Sequence, residues 1–217
     1  MTNLSSRERA SLCDTFERVG PDAPTLCGTW NAADLAAHLV IRERHPAAVG
    51  IAVGAAAGWT ERVQREMAGQ SFTDLIRQIR GGPPWWSPLG LPGVEPAANT
   101  FEYFVHHEDV RRAAKSWVER PLSDDDQSEL WRQLKKRARL LLRRSSFAVT
   151  LAWPEKDEFV VKPSSAKSAS TPGRPVTLSG APAELVLYLH GRREHAHVDV
   201  EGDVSVIAEF QRLNLAV

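Results

Sequence analysis

Residues suited to chemistry concentrate in FEYFVHHED, Phe101 to Asp109. The stretch mixes Phe101, Phe104 and Val105 with two adjacent histidines and three carboxylates. Glu102 and His106 stand four apart, so in a helix both side chains project from one face. Asp109, three past His106, lies near that face. His107 is rotated by about one hundred degrees, because a helix turns once in about 3.6 residues. His106 is therefore the better metal ligand, and His107 packs or bonds elsewhere.

Two ligands do not close a site. A catalytic zinc takes three protein ligands and leaves one position for water or substrate. The third candidate is His38, which shares a stripe with Leu35, Leu39 and Arg42 at offsets of three, four and seven. Asp34, one turn earlier, is placed to hold the outer nitrogen of His38, and Asp109 is a further second-sphere candidate. Spacing alone leaves other readings open. His38 could be a hydrogen-bonded core histidine, and Glu102 with His106 a hydrogen-bonded pair. HHED is not the HExxH zincin pattern.

These residues need elements to hold them. Ser5 or Ser6 can cap a helix to about Arg18, and Thr29 or Asn31 can open one to about Arg44. A further helical piece is expected over Trp59–Met67. Ser71 with Asp74 resembles a capping box for the next helix, which Gly81 and Gly82 stop. The proline-rich run around Trp85 and Trp86 is expected to be a long irregular loop, with the next helix starting near Asn99. Ser123, followed by three aspartates, opens a helix to about Arg143. Composition then changes. FAVTLAW, EFVVKP, PVTLSG and HAHVDVEG read as four strands, SSAKSASTPGRP as a polar linker, and APAELVLYLHGRR and DVSVIAEFQRLNL as helices. The expected plan is a helical bundle over 1–144 and a small α+β unit over 145–217.

Bulk properties narrow the function. Basic and acidic residues number 27 each among 217, which argues against a dedicated nucleic-acid binder. The amino terminus does not read as a secretory signal, and the apolar stretch Ala47–Trp59 is too short to span a bilayer. The expectation is a cytoplasmic protein with no membrane partner. Two cysteines, Cys13 and Cys27, fit a reduced setting with packing roles. His190, His195 and His197 form a weaker histidine tract, with His195 and His197 on one strand face.

TWNAADLAAHL, Thr29 to Leu39, resembles the W-x-x-x-D-L-x-x-H-L signature of DinB-like metal-binding bundles. With Glu102-x-x-x-His106 and the carboxy-terminal GAPAEL, GRR and VEGD runs, the chain resembles the mycothiol-dependent maleylpyruvate isomerase family over nearly its whole length. The resemblance implies a four-helix bundle and a small sterol-carrier-like domain. It implies a divalent metal on His38, Glu102 and His106, with Zn2+ preferred over Ni2+ or Fe2+. It also implies mycothiol or a similar low-molecular-weight thiol and an electrophilic substrate, joined by thiol transfer or isomerisation. Arg42 is then the first candidate for a substrate cation, ahead of Arg111 and Arg112, and Trp85 and Trp86 are candidates for the thiol-binding rim. A non-catalytic metal-binding or interaction protein is the alternative, and the oligomeric state stays open.

Overall fold

The computed structural model describes residues 3–44, 70–87, 94–161, 175–213 and 215, with backbone alone at 94–98. The expected helix at Trp59–Met67, the apolar stretch Ala47–Trp59 and nearly all of the linker SSAKSASTPGRP lie outside them. Among the described residues there are seven α-helices and one mixed four-stranded sheet. The chain divides into two compact units, Met1–Glu119 and Arg120–Val217.

The first unit holds α1 (Leu4–Val19), α2 (Ala32–Arg44), α3 (Phe72–Arg80) and α4 (Val94–Arg112). Asn3, not Ser5 or Ser6, caps α1, its side chain accepting from Ser6 N at 2.8 Å. Asparagine is among the strongest capping residues, so the cap falls two residues before the first serine considered. Helix α4 starts at Val94 rather than near Asn99. Pro96 falls in its first turn, where the missing N–H has no intrahelical partner to lose. The core joins Leu12, Phe16, Leu35, Leu39, Leu75, Ile79 and Tyr103, all fully buried or nearly so.

Polar bonds reinforce the α1–α4 contact. His107 is buried, its Nδ1 at 2.9 Å from Glu8 Oε2 and its Nε2 at 3.0 Å from Thr15 Oγ1. The second histidine of the pair therefore turns to α1. His107→Ala should cost about 2 kcal/mol of stability, the usual range for a hydrogen bond to a charged group. Metal content should stay unchanged, and denaturant melts with elemental analysis check both. A concurrent loss of metal would place His107 in the centre.

The second unit contains α5 (Asp124–Leu141), β1 (Val149–Trp153), β2 (Asp157–Val161), β3 (Val176–Ser179), α6 (Pro182–Leu189), β4 (Asp199–Gly202) and α7 (Val204–Arg212). Sheet order is β2-β1-β3-β4, with β1 and β3 parallel and both outer pairs antiparallel. Val149 pairs with Val161 and Val176, and Leu151 with Leu178, so these apolar residues sit side by side and all are buried. Every residue of α6 is buried. Helix α5 packs on α6 and reaches β2, where Trp131 Nε1 donates to Asp157 Oδ2 at 2.7 Å. The boundary thus falls at 119/120 rather than 144/145. Helical periodicity marks α5 as a helix, but its apolar face is matched to the sheet unit.

Strand β4 is shorter than expected and starts at Asp199. His195 ends a 3-10 turn, Arg193–His195, so His195 and His197 do not share a strand face. No helix among the described residues is long and apolar enough to cross a membrane.

Candidate metal centre

Three side chains converge between α2 and α4. His38 Nε2 lies 3.2 Å from Glu102 Oε1, and His106 Nε2 lies 3.3 Å from the same oxygen. The two imidazoles meet edge to face, with centroids 5.4 Å apart and planes at 73°. Ligand atoms of all three residues fall within 4.8 Å of one another. Two ligands about 2.0–2.1 Å from a tetrahedral ion stand about 3.3 Å apart, so the two measured N···O separations fit a first-row divalent ion. The donor set, two imidazoles and one carboxylate, suits zinc and also iron(II). The side chains of His38 and His106 are 13% exposed and that of Glu102 is 22% exposed, so the triad is reachable from solvent.

The elements explain the convergence. His38 projects from the middle of α2, whose first turn is secured by Asn31 and Asp34. Asp34 Oδ2 accepts from Asn31 N at 3.1 Å, and Asn31 Oδ1 accepts from Asp34 N at 2.9 Å. This is a reciprocal capping box. Asp34 was expected to hold the outer nitrogen of His38; its hydrogen bonds go to Asn31 instead. The free N–H groups of a helix start are its nearest donors. Against His38 the structure sets Trp30, with ring centroids 5.3 Å apart.

Asp109 accompanies His106. Its Oδ2 is 2.8 Å from His106 Nδ1, and the carboxyl group is fully buried. An ionised carboxylate only accepts, so Nδ1 carries a proton, and a bound metal would take the Nε2 lone pair on the other side of the ring. The turn before α2 brings a further group. Cys27 Sγ donates to Asp109 Oδ2 at 3.0 Å and lies 3.7 Å from His106 Nδ1. Leu26 N donates to Asp109 O at 3.1 Å, fastening that turn to α4. Cys27, His106 and Asp109 form a second cluster of possible ligand atoms, sharing His106 with the first. Asp109→Asn should weaken metal binding 10- to 100-fold, as loss of a carboxylate behind a ligating histidine does. Competition with a chromophoric chelator measures it, and an unchanged affinity would remove Asp109 from the site.

Arg42, one turn after His38, faces the centre. Its Nε is 3.3 Å from Glu102 Oε2, and its Nη1 donates to Asn99 Oδ1. Arg111 and Arg112 do not compete for this place, since both bind Glu108, Arg112 through Nε at 2.7 Å. Trp85 and Trp86 stand in the loop after α3, 87% and 55% exposed, and no hydrogen bond or ring contact ties them to the ligands. Sequence reasoning did not assign Cys27 or Asn99 to the centre. Asn99 had a signal, being three residues before Glu102 on one helix face. Cys27 had none, because a fold contact and not a spacing brings it to Asp109.

Charge within the centre is strongly coupled. Burial works to push the Glu102 carboxyl up, but hydrogen bonds from His106 and His38, with the charges of His106 and Arg42, hold it well below the usual range. Burial works to lower His106, and Asp109, Cys27 and Glu102 outweigh it, raising it well above an ordinary histidine. Without metal, a proton on His106 supplies the cation that the carboxylates need. Cys13, in contrast, is pushed up to about 12 by burial and is an inert packing thiol. Neither Cys13 nor Cys27 is in a disulfide.

Among the described residues, the carboxy-terminal histidines join no cluster of ligand atoms. His190 Nδ1 bonds Val186 O at 2.7 Å, and the backbone N of His197 donates to Glu184 Oε2 at 2.9 Å. No protein-family model, no curated protein and no solved structure matches the chain.

Proposed function

We propose that the first unit binds one divalent metal, zinc before nickel or iron, through His38, Glu102 and His106, and that the protein is a thiol-dependent transferase or isomerase. The observation that supports it is the meeting of two imidazole Nε2 atoms on one carboxylate oxygen at 3.2 and 3.3 Å, in a triad reachable from solvent. The likeness of Trp30–Leu39 and Glu102–His106 to the mycothiol-dependent maleylpyruvate isomerase family supplies the cofactor class. On this reading the first unit is a DinB-like bundle, and the second corresponds to the family's sterol-carrier-like domain. A bound metal would keep a low-molecular-weight thiol as its thiolate at neutral pH, ready to attack an electrophilic carbon. Asp109 would hold the His106 tautomer, and Arg42 would position an anionic group beside Glu102.

Elemental analysis of the purified, untagged protein tests the first half. About one metal ion per chain is expected, lost in His38→Ala. Metal-free wild type after reconstitution would end the proposal. Cobalt substitution tests the second half, because a coordinated thiolate adds a near-ultraviolet charge-transfer band. Metal binding with no such band would leave a non-catalytic metal-binding protein.

A further inference from the structure

Cys27 is not one of the three ligands of the first centre, yet the fold fixes it beside them. Thr25 Oγ1 accepts from Cys27 N at 3.1 Å and donates to Trp30 O at 2.8 Å. Trp30 N donates to Cys27 O at 3.2 Å, and Leu26 N donates to Asp109 O at 3.1 Å. These bonds hold the turn before α2 against α4 and set the sulfur on the Asp109 carboxylate. As a hydrogen-bond donor a thiol is weak, but its thiolate is the softest metal ligand among the side chains present here.

Three ligand atoms form a triangle. Cys27 Sγ is 3.0 Å from Asp109 Oδ2, His106 Nδ1 is 2.8 Å from the same oxygen, and Sγ is 3.7 Å from Nδ1. A tetrahedral zinc-sized ion sets a sulfur and a nitrogen ligand about 3.6 Å apart, and a nitrogen and an oxygen about 3.3 Å apart. The sulfur–nitrogen edge already fits. Both edges to Oδ2 are short because a hydrogen bond spans each, and moving that oxygen outward by about half an ångström opens both. The terminal torsion of an aspartate is soft enough to allow it. Cys27 and His106 are both part-exposed, so an ion can reach them from solvent.

We propose that Cys27 Sγ, His106 Nδ1 and Asp109 Oδ2 are a second metal site, selective for a thiophilic divalent ion, with His106 shared between it and the first centre. The ion displaces the protons on Sγ and Nδ1 to solvent. The ring keeps a proton on Nε2, which donates to Glu102 Oε1 at 3.3 Å. Two protons leave and one divalent ion enters, so the net charge of the cluster is unchanged. Because Nε2 is then protonated, the second site fills at the expense of the first. Zinc takes Nε2 with His38 and Glu102, and a softer ion takes Nδ1 with Cys27. This site goes beyond the thiol-dependent reading and does not need it.

Cadmium is the probe, followed by its ultraviolet thiolate-to-metal band on the full-length protein. No thiol is added, which separates this band from the one expected at the first centre. The wild type should develop the band as cadmium is titrated. His38→Ala removes a ligand of the first centre alone and should keep the band, with affinity unchanged or higher. Cys27→Ser should abolish it, since Cys13 is fully buried. Asp109→Asn should weaken the titration about tenfold or more. No band in the wild type would overturn the site. A band lost in His38→Ala would also overturn it, by placing the cadmium in the first centre. A band that persists in Cys27→Ser would belong to Cys13, and an unchanged affinity in Asp109→Asn would reduce the site to a lone thiolate; either ends the proposal. Zinc content is measured separately, so failure here leaves the first centre standing.

Discussion

Glu102→Gln should lower zinc affinity at least a hundredfold, which is about 3 kcal/mol. The substitution keeps the side-chain shape and removes only the charge. Glu102 Oε1 lies within 3.3 Å of both imidazole Nε2 atoms, so the carboxylate is the shared corner of the triad. An amide oxygen is a poorer ligand for a divalent ion, and its NH2 would face either Arg42 or a histidine nitrogen. Calorimetric titration with zinc reads the affinity directly. The metal-free variant adds a second readout. His106 loses a charge that helps raise it, so its titration should move down toward the ordinary histidine value, observable by NMR of the ring protons. An unchanged zinc affinity would show that the histidines bind metal without Glu102, or that the ion uses the Cys27 cluster instead.

The second large effect is opposite pH dependence with and without metal. His106 in the folded, metal-free protein titrates well above its unfolded value of 6.5. A raised pKa contributes stability that is present below 6.5 and is lost as pH rises through the folded value. Glu102 titrates well below its unfolded value of 4.5, so its contribution is present above 4.5 and is lost as pH falls through the folded value. The metal-free protein should therefore be most stable between about 4.5 and 6.5 with respect to these two groups. Metal requires the Nε2 lone pair of His106, so binding releases the proton held there, and affinity should rise with pH until His106 is neutral. The stabilisation produced by zinc should accordingly grow from pH 6 upward. Thermal melts with zinc or with chelator across this range provide the check, and calorimetry in two buffers of different ionisation enthalpy counts the proton. Metal-free stability that increases steadily above 6.5 would contradict the assignment of the proton to His106.

Much of the local structure was legible in the sequence because it depends on neighbours along the chain. Periodicity located α1, α2 and α3, Ser123 capped α5, and alternation found the four strands to within a few residues. Glu102 and His106 could be paired from spacing alone, since a helix places residues four apart on one face. The same logic misled at Asp34. A spacing of four to His38 suggested a partner, but the backbone N–H of Asn31 lies three residues away, and the capping box took the carboxylate.

Tertiary structure decided the rest. No spacing says that α5 belongs with the sheet, because an amphipathic helix carries no address for its partner. The apolar face of α5 became specific only when Trp131 met β2 and Gln127 Oε1 received Ala183 N at 3.0 Å. No spacing brings Cys27 to Asp109 across 82 positions, or joins Arg42 to Asn99 across 57. The sequence by itself determined which residue types had the lone pairs and charges to hold a cation. Only the packing of α2 against α4 put two imidazoles on one carboxylate oxygen, because coordination depends on distances of a few ångströms between segments whose separation along the chain carries no information about them.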